Sequence, residues 1–300
     1  MSGATIEQVR SFNRTVTQRI GVLQDEYLAR GRPLGASRVL WEVGRAPVDV
    51  RALRARLDLD SGYLSRLLRS LEADGLVVVE PDAADRRVRT VRLTDAGRAE
   101  RAVLDRESDA LAESLLAPLG DGQRERLVEA MAVVERLLTA GLVAVAVEDP
   151  RSAAARFCLD AYAAELDATF EGGFDTARSR PVDPAELTPP RGLLLVARLH
   201  SEPIACGALK LPSGEPAEIK RLWVAPGARR LGVARRVLAE LEAQAREAGA
   251  DVVRLDTNRA LRAATTLYRS SGYTEVPAFN DEPYAHHWFE KRLRACNSVQ

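Results

Sequence analysis

Cysteine, lysine and long apolar runs are scarce in this 300-residue chain. Its three cysteines, Cys158, Cys206 and Cys296, stand far apart and in no metal-ligand spacing, so neither a disulfide framework nor a metal site is expected. No stretch of about 18 apolar residues occurs, so no membrane-spanning helix is expected. The opening "MSGATIEQVRSFNR" lacks the apolar centre of a signal peptide, so a cytoplasmic chain is expected. Net charge is also missing: 43 Lys+Arg balance 43 Asp+Glu. Bulk charge therefore draws the chain to no polyanion, and any nucleic-acid contact must come from a local patch. Nearly all of the positive charge is arginine.

What is present is a soluble composition, 46% hydrophobic and 29% charged, on a chain long enough for two domains. Up to about residue 140 the pattern is mostly helical. Ile6, Val9, Phe12, Val16, Ile20, Leu23 and Tyr27 recur at spacings of three and four, as on one helix face. "GRPLGASRVLWEVG" starts a short helix, and Val50, Leu53 and Leu57 mark the next. After "DLDS", Leu64, Leu67, Leu68 and Leu71 mark another, which Gly75 stops. "LVVVEP" and "VRTVRLT" read as a hairpin. Two more helical patterns follow, split at "PLGDGQ", where Asp121 is the expected N-cap.

Helix, turn, helix and hairpin in that order describe a winged helix-turn-helix. The second helix of such a pair can enter a major groove and present polar side chains from its start to base edges. Asp60 is its expected N-cap. Ser61, Tyr63, Ser65, Arg66 and Arg69 fall off the leucine stripe and are expected to face outward, to phosphate and guanine. The hairpin segment "DRRVRTVR" carries four arginines in eight residues, a composition suited to a minor groove. The stretch "SGYLSRLLRSLEADGLVVVEPDAADRRVRTVRLTDAG" resembles the MarR family of transcription regulators. Asp85 and Arg87 match its wing-tip pair, and Leu93, Thr94 and Gly97 match its "LT..G". The resemblance covers residues 1–140 and implies binding to double-stranded operator DNA, with Arg86 and Arg89 beside the wing-tip pair. It also implies a homodimer built through the first helix and the last two.

At Gly141 a helix is expected to end and a strand to begin, with no Gly/Ser-rich tether, so limited freedom is expected between the halves. "LVAVAVEDP", "RGLLLVARLH", "PIACGALKL", "AEIKRLWVA", "DVVRLDT" and "HHWFEKRL" read as strands. Helices are expected after the first strand, from Leu231 to Ala248, and from Leu261 to Ser270. This half, residues 141–300, is thus α/β or α+β. In "RRLGVA" a strand is followed closely by a glycine and a helix. Main-chain amides at such a helix start, together with its dipole, favour an anion. Gly232 lets the backbone approach, Arg229 and Arg230 add charge, and Ala234 keeps the first turn slim. The loop has the form of a diphosphate cradle, without "GKS" and without "GxGxxG".

"EIKRLWVAPGARRLGVARRVLAELEAQAREAGADVVRLDTNRALRAATTLYRSSGYTEV" resembles the central motifs of the GNAT acetyltransferase family, whose sheet is mixed. Arg229, Gly232 and Ala234 match its [QR]-x-x-G-x-[GA]. Asn258, Ala264, Leu267, Tyr268, Gly272 and Tyr273 match "N…A…LY…GY". The resemblance implies acetyl-CoA as cofactor and acetyl transfer to an amine. It implies contacts to the cofactor from Leu222, Trp223 and Val224, from Arg229, Arg230, Leu231, Gly232, Val233, Ala234 and Arg235, and from Asn258, Ala264 and Tyr268. Tyr268 falls where the family keeps the acid for the departing thiolate, and Glu218 where several relatives keep a base acting through water. His286 and His287 offer a base too, but as neighbours on a strand they cannot both face one site. "NDEPYAHHWFEKRL", with Tyr162 and Glu165, is either a wall of the acceptor site or a strand that closes the fold.

Three functions remain open on the sequence: a regulator fused to a working acetyltransferase, a regulator whose second half only senses acetyl-CoA or an amine, and an enzyme that its first half merely dimerises.

Overall fold

The protein is described by a computed structural model over residues 2–21, 28, 31–44, 46–82, 85–175, 178–179 and 183–293. Leu23, Tyr27 and Cys296 lie outside the described residues. The chain divides into two compact units, Met1–Met131 and Ala132–Gln300. Among the described residues no helix is long and apolar enough to cross a membrane.

The first unit runs α1 (Gly3–Arg19), α2 (Leu34–Glu42), β1 (Val48–Asp49), α3 (Val50–Leu57), α4 (Ser61–Ala73), β2 (Val77–Pro81), β3 (Arg89–Leu93) and α5 (Asp95–Leu116). The division between units falls inside α6 (Asp121–Gly141). The four leucines of α4 are all buried, against Val39, Leu40 and Leu53 of α2 and α3. Each contributes about 1.5–3 kcal/mol of burial free energy. Asp60 caps α4, its carboxylate accepting from the Tyr63 amide at 2.8 Å. β2 and β3 pair with Val79 opposite Val91, and β1, too short to show a period in the sequence, adds a third strand beside β3.

The "LT..G" motif has a physical reason. Thr94 Oγ1 accepts from the Gly97 amide at 3.0 Å and so caps α5, and it also donates to the Gly75 carbonyl at 2.7 Å. A Cβ on Gly97 would sit 1.9 Å from the Leu76 carbonyl oxygen, so only glycine lets α5 pass the start of the wing. Asp121 does not serve as N-cap. It is the first helical residue of α6, and Gly120 holds the cap position, its carbonyl accepting from Arg124 N–H and its amide donating to Gln123 Oε1.

The second unit has a seven-stranded sheet, ordered β4 (Ala144–Glu148), β5 (Gly192–Leu199), β6 (Glu202–Lys210), β7 (Ala217–Val224), β8 (Val252–Thr257), β10 (His287–Arg292) and β9 (Thr274–Val276). Helices α7 (Ala153–Thr169), α8 (Val233–Glu247) and α9 (Arg262–Ser270) complete it. The sheet is mixed: β7 and β8 are parallel and every other pair is antiparallel. Both faces of β5 are covered. Leu193, Leu195 and Ala197 pack in the cluster that includes α8, while Leu194 and Val196 pack with Ala155 and Cys158 of α7. That double burial is why "GLLLVA" reads as an unbroken apolar run. The "HHWFEKRL" strand is not an edge: β10 lies between β8 and β9, a short strand the sequence pattern did not show.

Two irregularities open this sheet. Main-chain pairing of β7 with β8 runs through Ala217–Val253 and Glu218–Arg254 and stops there, although both strands continue. On its other side β7 carries a bulge: Cys206 pairs with Trp223 and Ala208 with Lys220, so Arg221 and Leu222 together face Gly207. Arg221 takes a φ of 56°, unusual for a residue with a side chain. Two cavities meet at this opening.

Candidate functional site

On the first unit, Ser61, Ser65, Arg66 and Arg69 are exposed along α4 as expected. The Arg66 guanidinium lies 5.7 Å from the Tyr63 ring centre. Tyr63 itself does not face outward. It is half-buried on the core, against the one small residue that admits it: a Cβ at Gly35 would come within 2.6 Å of the Tyr63 hydroxyl. On the wing, Asp85 shapes the turn rather than offering its charge. Its carboxylate accepts from the Arg87 amide at 2.9 Å, and its carbonyl accepts from Val88 N–H at 2.9 Å. Arg86, Arg87 and Arg89 are exposed around that turn. Arg92 is bonded to Glu80 at 2.9 Å and adds less free charge than its place in the run implies.

On the second unit, the larger features gather where β7 ends and α8 begins. Gly232 is the N-cap of α8 with a left-handed φ of 77°. No side chain caps this helix, and its first main-chain bond runs from Arg236 N–H to Gly232 O at 3.1 Å. The amides of Val233, Ala234 and Arg235 therefore leave the helix start without an intrahelical acceptor. Arg230 is left-handed as well, with φ 68°, and consecutive left-handed and turn conformations of this kind are those that build anion-binding concavities. A Cβ on Gly232 would meet nothing within 4 Å, so conformation, not crowding, demands glycine here.

One cavity lies over this loop, lined by Leu222, Trp223, Val224, Arg229, Arg230, Gly232, Val233, Ala234, Arg235, Ala264 and Tyr268. Every residue that the family resemblance assigned to the cofactor is there except Leu231 and Asn258. Leu231 packs against the core of the sheet. Asn258 lines the other cavity, and its side chain is already committed. Nδ2 donates to the Tyr284 carbonyl at 2.8 Å and Oδ1 accepts from the Ala260 amide at 2.9 Å. Two of the arginines are also held. Arg229 is paired with Glu165 at 2.6 Å, and Glu165 in turn accepts from Trp223 Nε1 at 2.9 Å. Arg235 donates to Ser270 Oγ at 2.9 Å.

The second cavity opens between the ends of β7 and β8 and shares Tyr162, Leu166, Leu222, Leu261, Ala264 and Tyr268 with the first. Tyr268 is buried, its ring tilted against those of Tyr273 and Phe289 with centres 5.9 and 5.8 Å away. Burial, reinforced by Tyr162 and Asp256, holds its phenol well above the ordinary tyrosine range, so it keeps its proton. Burial likewise pushes Tyr162 up to about 12.

Glu218 lines this cavity within a cluster that the sequence reading missed. Lys220 is 3.0 Å from Glu218 and is bonded to Asp256. Asn280 donates to Asp256 at 3.0 Å and accepts from Trp288 Nε1 at 2.8 Å. Burial opposes the Lys220 charge, but Asp256 and Glu218 together outweigh it and hold the ammonium above its usual range. The one available signal was a carboxylate, Asp256, between buried Leu255 and Thr257 on a strand beside the cradle. From "NDEPYAHHWFEKRL", Glu282, Tyr284 and Ala285 line the cavity, while His287–Arg292 of the stretch forms β10 inside the sheet. His286 and His287 do not line it; His287 bonds Glu275 at 2.6 Å instead. Glu165 sits on the side of the α8 loop, not on this wall.

A sheet split between two parallel strands, with an uncapped helix start at its mouth, is the framework of an acyltransferase of the GNAT type. The acetyltransferase (GNAT) family model matches residues 159–273, and the MarR family model matches residues 30–88. An IAA acetyltransferase from Azospirillum brasilense is 31% identical over 40% of this chain and 78% of its own length. An uncharacterized N-acetyltransferase from Schizosaccharomyces pombe is 33% identical over 40% of this chain and 71% of its own. For the first unit, an uncharacterized HTH-type transcriptional regulator from Bacillus subtilis is 30% identical over 27% of this chain and 49% of its own. The chain belongs to the GNAT acetyltransferase family, and ahead of that domain it carries a segment that the MarR family model matches.

Proposed function

We propose that the protein is a dimeric DNA-binding regulator that is also an acetyl-CoA-dependent N-acetyltransferase, with the working boundary at residues 140/141. The observation that carries the enzymatic half is the position of Tyr268, a protonated phenol where the α8 cavity meets the β7–β8 cavity. The amides of Val233, Ala234 and Arg235, the loop around Gly232, and Arg229 and Arg230 fit the diphosphate of coenzyme A. When bound, acetyl-CoA supplies a thioester whose C–S bond breaks as the acceptor's N–C bond forms, the nitrogen giving up two protons in all and the sulfur taking one. Tyr268 holds its Oη proton at the junction and is the acid for the sulfur. Glu218 and Asp256 draw an ammonium into the split and take its first proton, directly or through water. Leu222, Leu166 and Ala264 keep the junction apolar.

The regulatory half uses Ser61, Ser65, Arg66 and Arg69 of α4 in a major groove and Arg86, Arg87 and Arg89 of the wing beside it. α1 and α6 support the dimer. Neither buries a residue within the chain, and Ile6, Val9 and Phe12 of α1 and Val128, Met131 and Val133 of α6 stand exposed. Helices of this length gain most of their stability from packing an apolar face, which here needs a partner.

One observation favours the sensor reading: Glu218 already shares its carboxylate with Lys220 and Asn280. Release of free thiol from acetyl-CoA with a panel of amines decides between them. The enzyme reading expects release, with kcat lowered about 10²–10⁴-fold in Tyr268→Phe and coenzyme A affinity unchanged. Coenzyme A binding with no thiol release from any amine leaves the sensor.

A further inference from the structure

The β7–β8 cavity carries more than a place for an amine. On one wall, Phe170, Phe174 and Tyr284 form a cluster with ring centres 4.9–5.8 Å apart. The cluster is held in place: the Asp175 amide donates to the Tyr284 hydroxyl at 2.9 Å, and Asn258 fixes the Tyr284 carbonyl. On the β7 side, the bulge sets Arg221 into the cavity lining, its guanidinium 5.8 Å from the Tyr162 ring centre. The other two cations of the lining have carboxylate partners. Lys220 bridges Glu218 and Asp256, and Lys210 pairs with Glu186 at 3.0 Å. Among the described residues no carboxylate is paired with Arg221. The acids Glu218, Asp256 and Glu282 line the same cavity.

An unpaired guanidinium, a carboxylate-rich floor and an apolar aromatic wall read three different parts of one small molecule. A guanidinium takes a carboxylate with geometry that no other side chain offers. The floor attracts an ammonium, and the aromatic wall gains by burying a large apolar group. The strained backbone of Arg221 fits this purpose, since left-handed conformations of residues with side chains persist where they aim a group at a ligand. We propose that the acceptor is an α-amino acid with a large apolar or aromatic side chain, its carboxylate on Arg221, its amine toward Glu218 and Asp256, and its side chain against Phe170, Phe174 and Tyr284. For turnover this rests on the transferase reading; for binding it does not.

The test uses the intact protein and four probes: phenylalanine, phenylethylamine (no carboxylate), alanine (no large side chain) and spermidine. Two readouts run in parallel, thiol release from acetyl-CoA and calorimetric binding in the presence of coenzyme A. Phenylalanine should lead each of the others in both readouts. In Arg221→Gln the preference for phenylalanine over phenylethylamine should shrink by about 10- to 100-fold, the range for losing a charged hydrogen bond. Arg221→Lys should recover part of it, and the melting temperatures of both variants show that they fold. An unchanged preference in Arg221→Gln overturns the proposal. So does thiol release from phenylethylamine or spermidine at the phenylalanine rate, a result that leaves the transferase reading intact. Phenylalanine binding that depends on Arg221, with no thiol release from any amine, supports the proposal and overturns the transferase reading instead.

Discussion

Two arginine-rich turns in this chain, both assigned to phosphate in the proposed function, are built in opposite ways. The wing turn offers side chains: Arg86, Arg87 and Arg89 are exposed, and Asp85 spends its carboxylate on shaping the turn. The α8 loop offers main chain. There Gly232 and Arg230 take left-handed conformations, three amides lie open, and Arg229 and Arg235 are bonded within the protein. Charges on flexible stems bind by displacing counterions and are screened by salt. Amides fixed at a helix start are preorganised and depend on backbone geometry. On the proposed reading, one composition thus serves a long, repetitive polyanion in one place and a single diphosphate in the other.

The sharpest way to break this contrast is at position 232. Gly232→Val forces a β-branched residue into a left-handed conformation, at a cost of about 1–3 kcal/mol. Because a Cβ there meets no neighbour, the cost falls on the loop's shape. Coenzyme A affinity should fall about 10- to 100-fold by calorimetry, in line with that energy. Full affinity in the variant would show that side-chain charge, not main chain, grips the diphosphate. The matching change on the wing is smaller. Arg87→Ala should weaken operator binding about tenfold and lower the slope of log affinity against log salt by about one, because one phosphate contact is lost. An unaltered slope would remove the wing from the DNA contact. Repeating the salt series for coenzyme A on the unmodified protein should give a much shallower line.

How much of this was readable before the structure follows the range of the interaction. The leucine stripe of α4, the Asp60 cap and the Gly232 step are local, and period or backbone chemistry marks each. β1 and β9 are two and three residues long, too short for an alternation to show. The acceptor side was hidden for a different reason. Lys220 and Asp256 meet across strands 36 residues apart, and Asn280 joins them from a loop 24 residues further on. No spacing rule links such positions. The bulge at Arg221 has no glycine on its own strand, only Gly207 on the strand opposite, and Tyr63 looked outward because Gly35, on another helix, makes its pocket.

The smallest effect tests the finest point of the contrast, whether Arg229 belongs to the diphosphate or to the fold. Its guanidinium is held by Glu165, whose side chain is about a third exposed at 31%. Ion pairs this open to water contribute about 0–1 kcal/mol, so the pair is easily exchanged. Glu165→Gln keeps an acceptor for Trp223 Nε1, removes a negative charge beside the loop and releases Arg229. Coenzyme A should then bind about two- to fivefold more tightly, as expected for an exchange of that size. The gain should fade as salt is added. Weaker binding in this variant would mean that Glu165 aims Arg229 at the ligand, and the α8 loop would then use side-chain charge much as the wing does.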